Sequence, residues 1–168
     1  TLIVDVKVYD INKNQVAYEK SYTAKDSEKF PFVAHKVAID INMHLKAPPI
    51  DWMERLIVFS RYVSSKESEI VVADYTLSYQ KPIVRGGLNV FPKWAGSTQE
   101  EIYYTSYLKV PTLFKINIYT GKKDKITDSD GMLVCSDVSR DGTKLLLTMA
   151  PNGQPDAYVL DTRSGSKQ

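Results

Sequence analysis

The sequence predicts an α+β N-terminal piece of order β-β-α, followed by an all-β region built as a partial β-propeller. Three observations carry that prediction. The hydrophobic period is two residues over residues 1–23 and changes to 3.6 over residues 27–46. Beyond Pro48-Pro49, matching apolar segments recur about 43 to 46 residues apart. Turn-forming clusters such as Asp141-Gly142 and Pro151-Asn152-Gly153 separate those segments at intervals of one short strand.

The N-terminal elements follow from the periods. Leu2, Val4, Val6 and Val8 alternate with Ile3, Asp5, Lys7 and Tyr9, which is a strand pattern with only Ile3 out of phase. Residues 11–14 are polar and turn-like, and residues 15–23 form a second strand, giving a hairpin. Phe30, Val33, Ala34, Val37, Ala38, Ile41 and Leu45 then mark one face of a helix. Asp26 or Ser27 can cap its start, Pro31 is tolerable only near that start, and Ala47-Pro48-Pro49 ends it. Residues 1–50 are expected to be the C-terminal part of a small α/β domain.

The region 51–168 repeats. Arg55-Leu56-Ile57-Val58 aligns with Glu101-Ile102-Tyr103-Tyr104 and with Lys144-Leu145-Leu146-Leu147. Glu69-Ile70-Val71-Val72 aligns with Thr112-Leu113-Phe114-Lys115 and with Asp156-Ala157-Tyr158-Val159. Ile83 pairs with Ile126, and the segment from Val90 to Trp94 pairs with that from Val134 to Val138. Several short strands per period describe a propeller blade; a Greek-key sandwich is the competing architecture. Blade one is expected at about 55–87, blade two at 88–131 and a partial blade three at 132–168. A closed six-bladed ring would need roughly another 130–180 residues at this period, so the chain is expected to be a fragment cut at both ends.

Composition bounds the function. The chain has 168 residues, 43% of them hydrophobic and 25% charged, enough to bury a core. A net charge of +2 does not suggest nucleic acid as a partner. No stretch approaches the ~20 apolar residues of a membrane helix, so no membrane insertion is expected. The single cysteine, Cys135, cannot form an internal disulfide. Eleven tyrosines suit pleated, half-buried surfaces and protein interfaces alike.

The pattern from Ser139 through Asp141, Gly142, Lys144 and Pro155-Asp156 to Asp161 resembles the WD40-like repeat of the TolB family and of some peptidase propellers. Two further matches narrow the choice to TolB. His35 and Asp40 stand where the helix of that family's α/β domain carries a His followed by an Asp. Arg55-Leu56-Ile57-Val58-Phe59-Ser60, followed by Ile70-Val71-Val72-Ala73-Asp74-Tyr75, resembles the start of its propeller. Lys46-Ala47-Pro48-Pro49 in place of the family's glycines, and Ala95-Gly96-Ser97-Thr98 in place of a Ser-Pro-Asp-Gly turn, mark a divergent member. The resemblance implies a six-bladed propeller and a periplasmic, non-catalytic scaffold of the Tol-Pal system that maintains outer-membrane integrity. It also implies a Pal-like peptidoglycan-associated lipoprotein on the propeller face, and TolA and other Tol proteins as partners of the longer protein.

The partner surface is expected on the loops that lead into the innermost strands. Leu88, Asn89, Met132 and Leu133 are the candidate contacts; the apolar members can equally tuck beneath neighbouring blades. His35, Asp40, Arg55, Asp141 and Gly142 are read as structural motif residues. Catalytic and metal constellations are missing from the sequence pattern. His35 and His44 fall about 180° apart on the helix at ~100° per residue. No serine lies in a nucleophile elbow, and no cysteine cluster offers zinc ligands. Asp128, Asp130 and Gly131 lack the further ligands of a calcium loop and read as an acidic turn. No cofactor is expected. The competing readings are a gating propeller of a prolyl-oligopeptidase-like hydrolase and a lectin-like sandwich. Open sheet edges are expected to make the fragment self-associate.

Overall fold

A computed structural model describes residues 1–107 and 109–168. The chain forms two compact units, one of Thr1–Ile57 with Ala73–Gln80, the other of Val58–Val72 with Lys81–Gln168. The division is not a single cut at residue 50, because residues 73–80 belong with the N-terminal elements.

In the first unit, strands β1 (Leu2–Asp10) and β2 (Gln15–Ala24) form an antiparallel hairpin. Their register steps between Val8↔Tyr18 and Tyr9↔Val16, so Ala17 is the extra residue of a bulge on β2. The Asp10 carboxylate closes the turn by accepting from the backbone N–H groups of Asn12 and Lys13, at 3.0 and 3.1 Å. The expected single helix is instead a 3-10 turn (Ser27–Lys29) running into helix α1 (Phe30–His44). The cause is local. The Asp26 carboxylate accepts from Glu28 N–H at 3.0 Å and caps the turn, while Pro31 has no N–H for an α-helical bond at that point. Helix α1 buries Pro31, His35, Ile39 and Asp40. It ends with Lys46 in the left-handed region (φ 54) ahead of Pro48. A further 3-10 turn, Asp51–Glu54, precedes the next strand.

Three antiparallel meanders follow. The first sheet is β3 (Leu56–Ser64), β4 (Glu67–Asp74) and β5 (Gln80–Val84). The second is β6 (Leu88–Trp94), β7 (Glu101–Tyr107), β8 (Pro111–Asn117) and β9 (Lys123–Asp128). The third is β10 (Leu133–Val138), β11 (Lys144–Met149) and β12 (Asp156–Asp161). Each sheet pairs its strands in chain order, as propeller blades do. The architecture is a β-β-α segment followed by a partial propeller.

Within the second unit β10 packs against β6, β7 and β8, so consecutive blades meet face to face. The core between them contains Tyr103 and Leu113 from one blade and Leu133, Cys135, Leu145, Leu147, Met149 and Leu160 from the next. Each fully buried leucine there contributes roughly 1.5–3 kcal/mol. Burial pushes the Cys135 thiol up to about 12, so it stays protonated and behaves as a small apolar side chain.

Candidate functional site

The loops that enter β6 and β10 are held by buried hydrogen bonds. Asn89 is 1% exposed, and its side-chain amide donates to the carbonyls of Ser68 (3.1 Å), Gly86 (2.9 Å) and Gly87 (3.3 Å). Its backbone N–H donates to Ser68 Oγ at 2.9 Å, and Ser68 Oγ donates to Asn89 O at 2.6 Å. Leu133 is completely buried, and its carbonyl accepts from Thr105 Oγ1 at 2.8 Å. Asn89 and Leu133 occupy the same position of consecutive repeats. At each, a buried hydroxyl of the preceding sheet fastens the first strand of the next. These two are therefore interior anchors and not surface contacts, a correction to the sequence reading. Leu88 is half-buried and Met132 exposed, so of the four expected contacts these two reach the surface.

Met132 is presented by a rigid frame. Ala150 N–H donates to its carbonyl at 2.9 Å, and a Cβ added to Gly131 would lie 1.9 Å from Ala150 O. Only glycine allows that approach of the two loops. Beside them lies a cleft of about 380 Å³ lined by Asp128, Ser129, Asp130, Pro151, Tyr158 and Lys167. The Asp128 carboxyl is held below the usual range by its bond to Lys125, with Lys167 adding to the effect. Lys167 itself donates to Thr127 Oγ1 at 2.6 Å. The surface thus combines an apolar tip with a polar, mixed-charge cleft.

The five residues read as structural motif residues lie as follows. Asp40 is buried and accepts from Lys20 at 2.5 Å and from Tyr22 at 3.1 Å, with Lys36 at 3.2 Å. Lys20, then the other donors, hold its carboxyl below the ordinary value against the effect of burial. His35 is buried, with Nε2 3.5 Å from Asp74 Oδ2 and its ring 4.6 Å from that of Tyr75. Asp74 is fully buried, which raises its pKa. Bonds from Thr76 and from the Tyr79 and Thr76 backbone N–H groups, together with His35, more than offset this and keep it ionised. Arg55 is exposed and directly precedes β3. Asp141 accepts from Ser139 Oγ (2.7 Å), Thr143 N–H (3.2 Å) and Thr143 Oγ1 (2.8 Å), and Gly142 takes φ 71 in the same turn.

Sequence reasoning missed two groupings. Asp74 lies far from His35 in the chain, and no local pattern signals their approach. Phe91 stands at a bulge of β6 with φ 56 and is 45% exposed. Next to it Lys93 pairs with Asp137 of β10 at 3.0 Å, joining the same position of two consecutive repeats. Among the described residues no group of three or more His, Cys, Asp or Glu could hold a metal ion. No helix among them is long and apolar enough to cross a membrane.

No family model matches the chain. It is 54% identical over 168 residues to the Tol-Pal system protein TolB of Wolinella succinogenes, covering 99% of this chain and 40% of that protein. It is 50% identical over 159 residues to the Tol-Pal system protein TolB of Helicobacter hepaticus, covering 95% of this chain and 38% of that protein. The crystal structure of TolB from Acinetobacter baumannii superposes with a TM-score of 0.78 at 23% identity, over 99% of this chain and 42% of that one. The chain thus spans about two fifths of the curated relatives it matches.

Proposed function

Because nearly its whole length belongs to the TolB family of Tol-Pal system proteins, we propose that the chain is part of a non-catalytic protein-binding scaffold of the Gram-negative cell envelope. It works in the periplasm, within a complex that maintains outer-membrane integrity, and its partner is a Pal-like peptidoglycan-associated lipoprotein. TolA and the other Tol proteins engage the longer protein. The observation that carries this reading is the presentation of Leu88, at the start of β6, and of Met132, on the loop before β10, beside backbone fixed by Asn89 and by the Gly131–Ala150 approach. Segments so held bind with little ordering cost, which is what a constitutive scaffold needs.

The mixed-charge cleft beside Met132 supplies polar partners around the apolar tip, the anatomy of a non-obligate protein interface. Capture of the soluble domain of a peptidoglycan-associated lipoprotein by the purified protein tests the reading. Met132→Asp combined with Leu88→Asp is expected to weaken capture about tenfold or more while leaving the far-ultraviolet dichroism unchanged. Failure of the unaltered protein to capture that domain would overturn the reading.

A further inference from the structure

We propose that Phe91 is a partner-contacting anchor that the fold holds at a cost in stability; this rests on the protein-binding reading above. The register between β6 and β7 passes from Val90↔Thr105 to Lys93↔Tyr103, so Phe91 and Pro92 together oppose Tyr104. Phe91 takes φ 56 there, in the left-handed region that one class of bulge fills with glycine. A bulky aromatic residue in that region is a strained choice.

Packing does not repay the strain. The Phe91 ring is 45% exposed, whereas the opposing Tyr104 is 1% exposed and stacks on Phe114. Nor does the bulge require it. Strand β10 bulges at the same position of its repeat, between Cys135 and Asp137, and no residue of that bulge has positive φ. The strained conformation is therefore particular to Phe91 and not a property of the repeat. The Lys93–Asp137 pair at 3.0 Å links the second residue after Phe91 to the neighbouring blade. An exposed aromatic residue two positions from a solvent-exposed ion pair on the same strand fits a protein segment that presents one apolar side chain flanked by hydrogen-bonding groups.

Two variants of the full chain separate contact from packing. Phe91→Gly removes both the ring and the strain; Phe91→Ala removes the ring and keeps a Cβ at positive φ. The probe is the soluble domain of a peptidoglycan-associated lipoprotein, with affinity read by calorimetry and melting by differential scanning. Both variants are expected to lose at least about tenfold in affinity, and only Phe91→Gly to melt a few degrees higher than the unaltered chain. Phe91→Gly melting lower would show that the ring serves packing and would overturn the inference. So would unchanged affinity in a chain whose unaltered form binds the probe. No binding by the unaltered chain would instead remove the partner-binding reading itself, and the assignment of Phe91 with it.

Discussion

At Gly131 a single hydrogen atom in place of a side chain decides whether two loops meet. Gly131→Ala would place a carbon 1.9 Å from the Ala150 carbonyl oxygen, and the backbone there has to move. A loss of about 3 kcal/mol in urea unfolding is expected, and an unchanged midpoint would contradict it. Asn89→Ala deletes a side-chain amide whose two N–H donors reach three carbonyls, and leaves those of Ser68, Gly86 and Gly87 short of partners. Its expected cost is about 1–3 kcal/mol by the same measurement. Cys135, with its pKa pushed up to about 12 by burial, is expected to resist iodoacetamide at pH 8 until the chain is unfolded. Rapid alkylation of the native protein would contradict that burial. At this scale the sequence was least legible. Leu133 reads equally as a partner contact and as a residue tucked beneath a neighbouring blade; it is the first residue of β10 and fully buried. Phe91 carries no local sign that its φ is positive.

At the scale of elements, the period of the hydrophobic pattern did most of the work. Strands β11 and β12 begin at Lys144 and Asp156, where the aligned segments begin, because Asp141-Gly142 and the cluster around Asn152-Gly153 supply the turns ahead of them. The beginning of the helix was harder to read, because Pro31 and the Asp26 cap make a 3-10 turn that the apolar spacing does not encode. The turn ahead of β11 also carries a pH dependence. Hydrogen bonds from Ser139, then from the Thr143 backbone and side chain, bring the Asp141 carboxyl down to about 2. Its folded-state pKa lies below the ordinary carboxylate value of about 4, so the ionised turn stabilises the fold fully above that value. That contribution is lost as the pH falls from about 4 towards 2. The stability gap between the protein and its Asp141→Asn variant is expected to narrow over that interval in urea titrations. A gap independent of pH would sink the idea.

At the scale of the whole molecule, repetition was legible and its consequences for surface were only partly so. The third blade shows Leu146 and Val159, each 41% exposed and paired across β11 and β12, on one face beside Val138. An apolar cross-strand pair left in water favours association. Sedimentation is expected to show concentration-dependent self-association that Leu146→Lys reduces, and a monomer at all concentrations would argue against it. The Lys93–Asp137 pair has a consequence of another kind. A propeller repeats one blade radially, so each blade meets a near-copy of itself. Two copies of blade two side by side would set lysine against lysine, and two of blade three aspartate against aspartate, at this position. At this position the two repeats carry opposite charges, so the pair distinguishes a left neighbour from a right one. With both side chains largely in water, the pair adds only a weak preference for the order in which these blades stand, on top of the packing of the core between them.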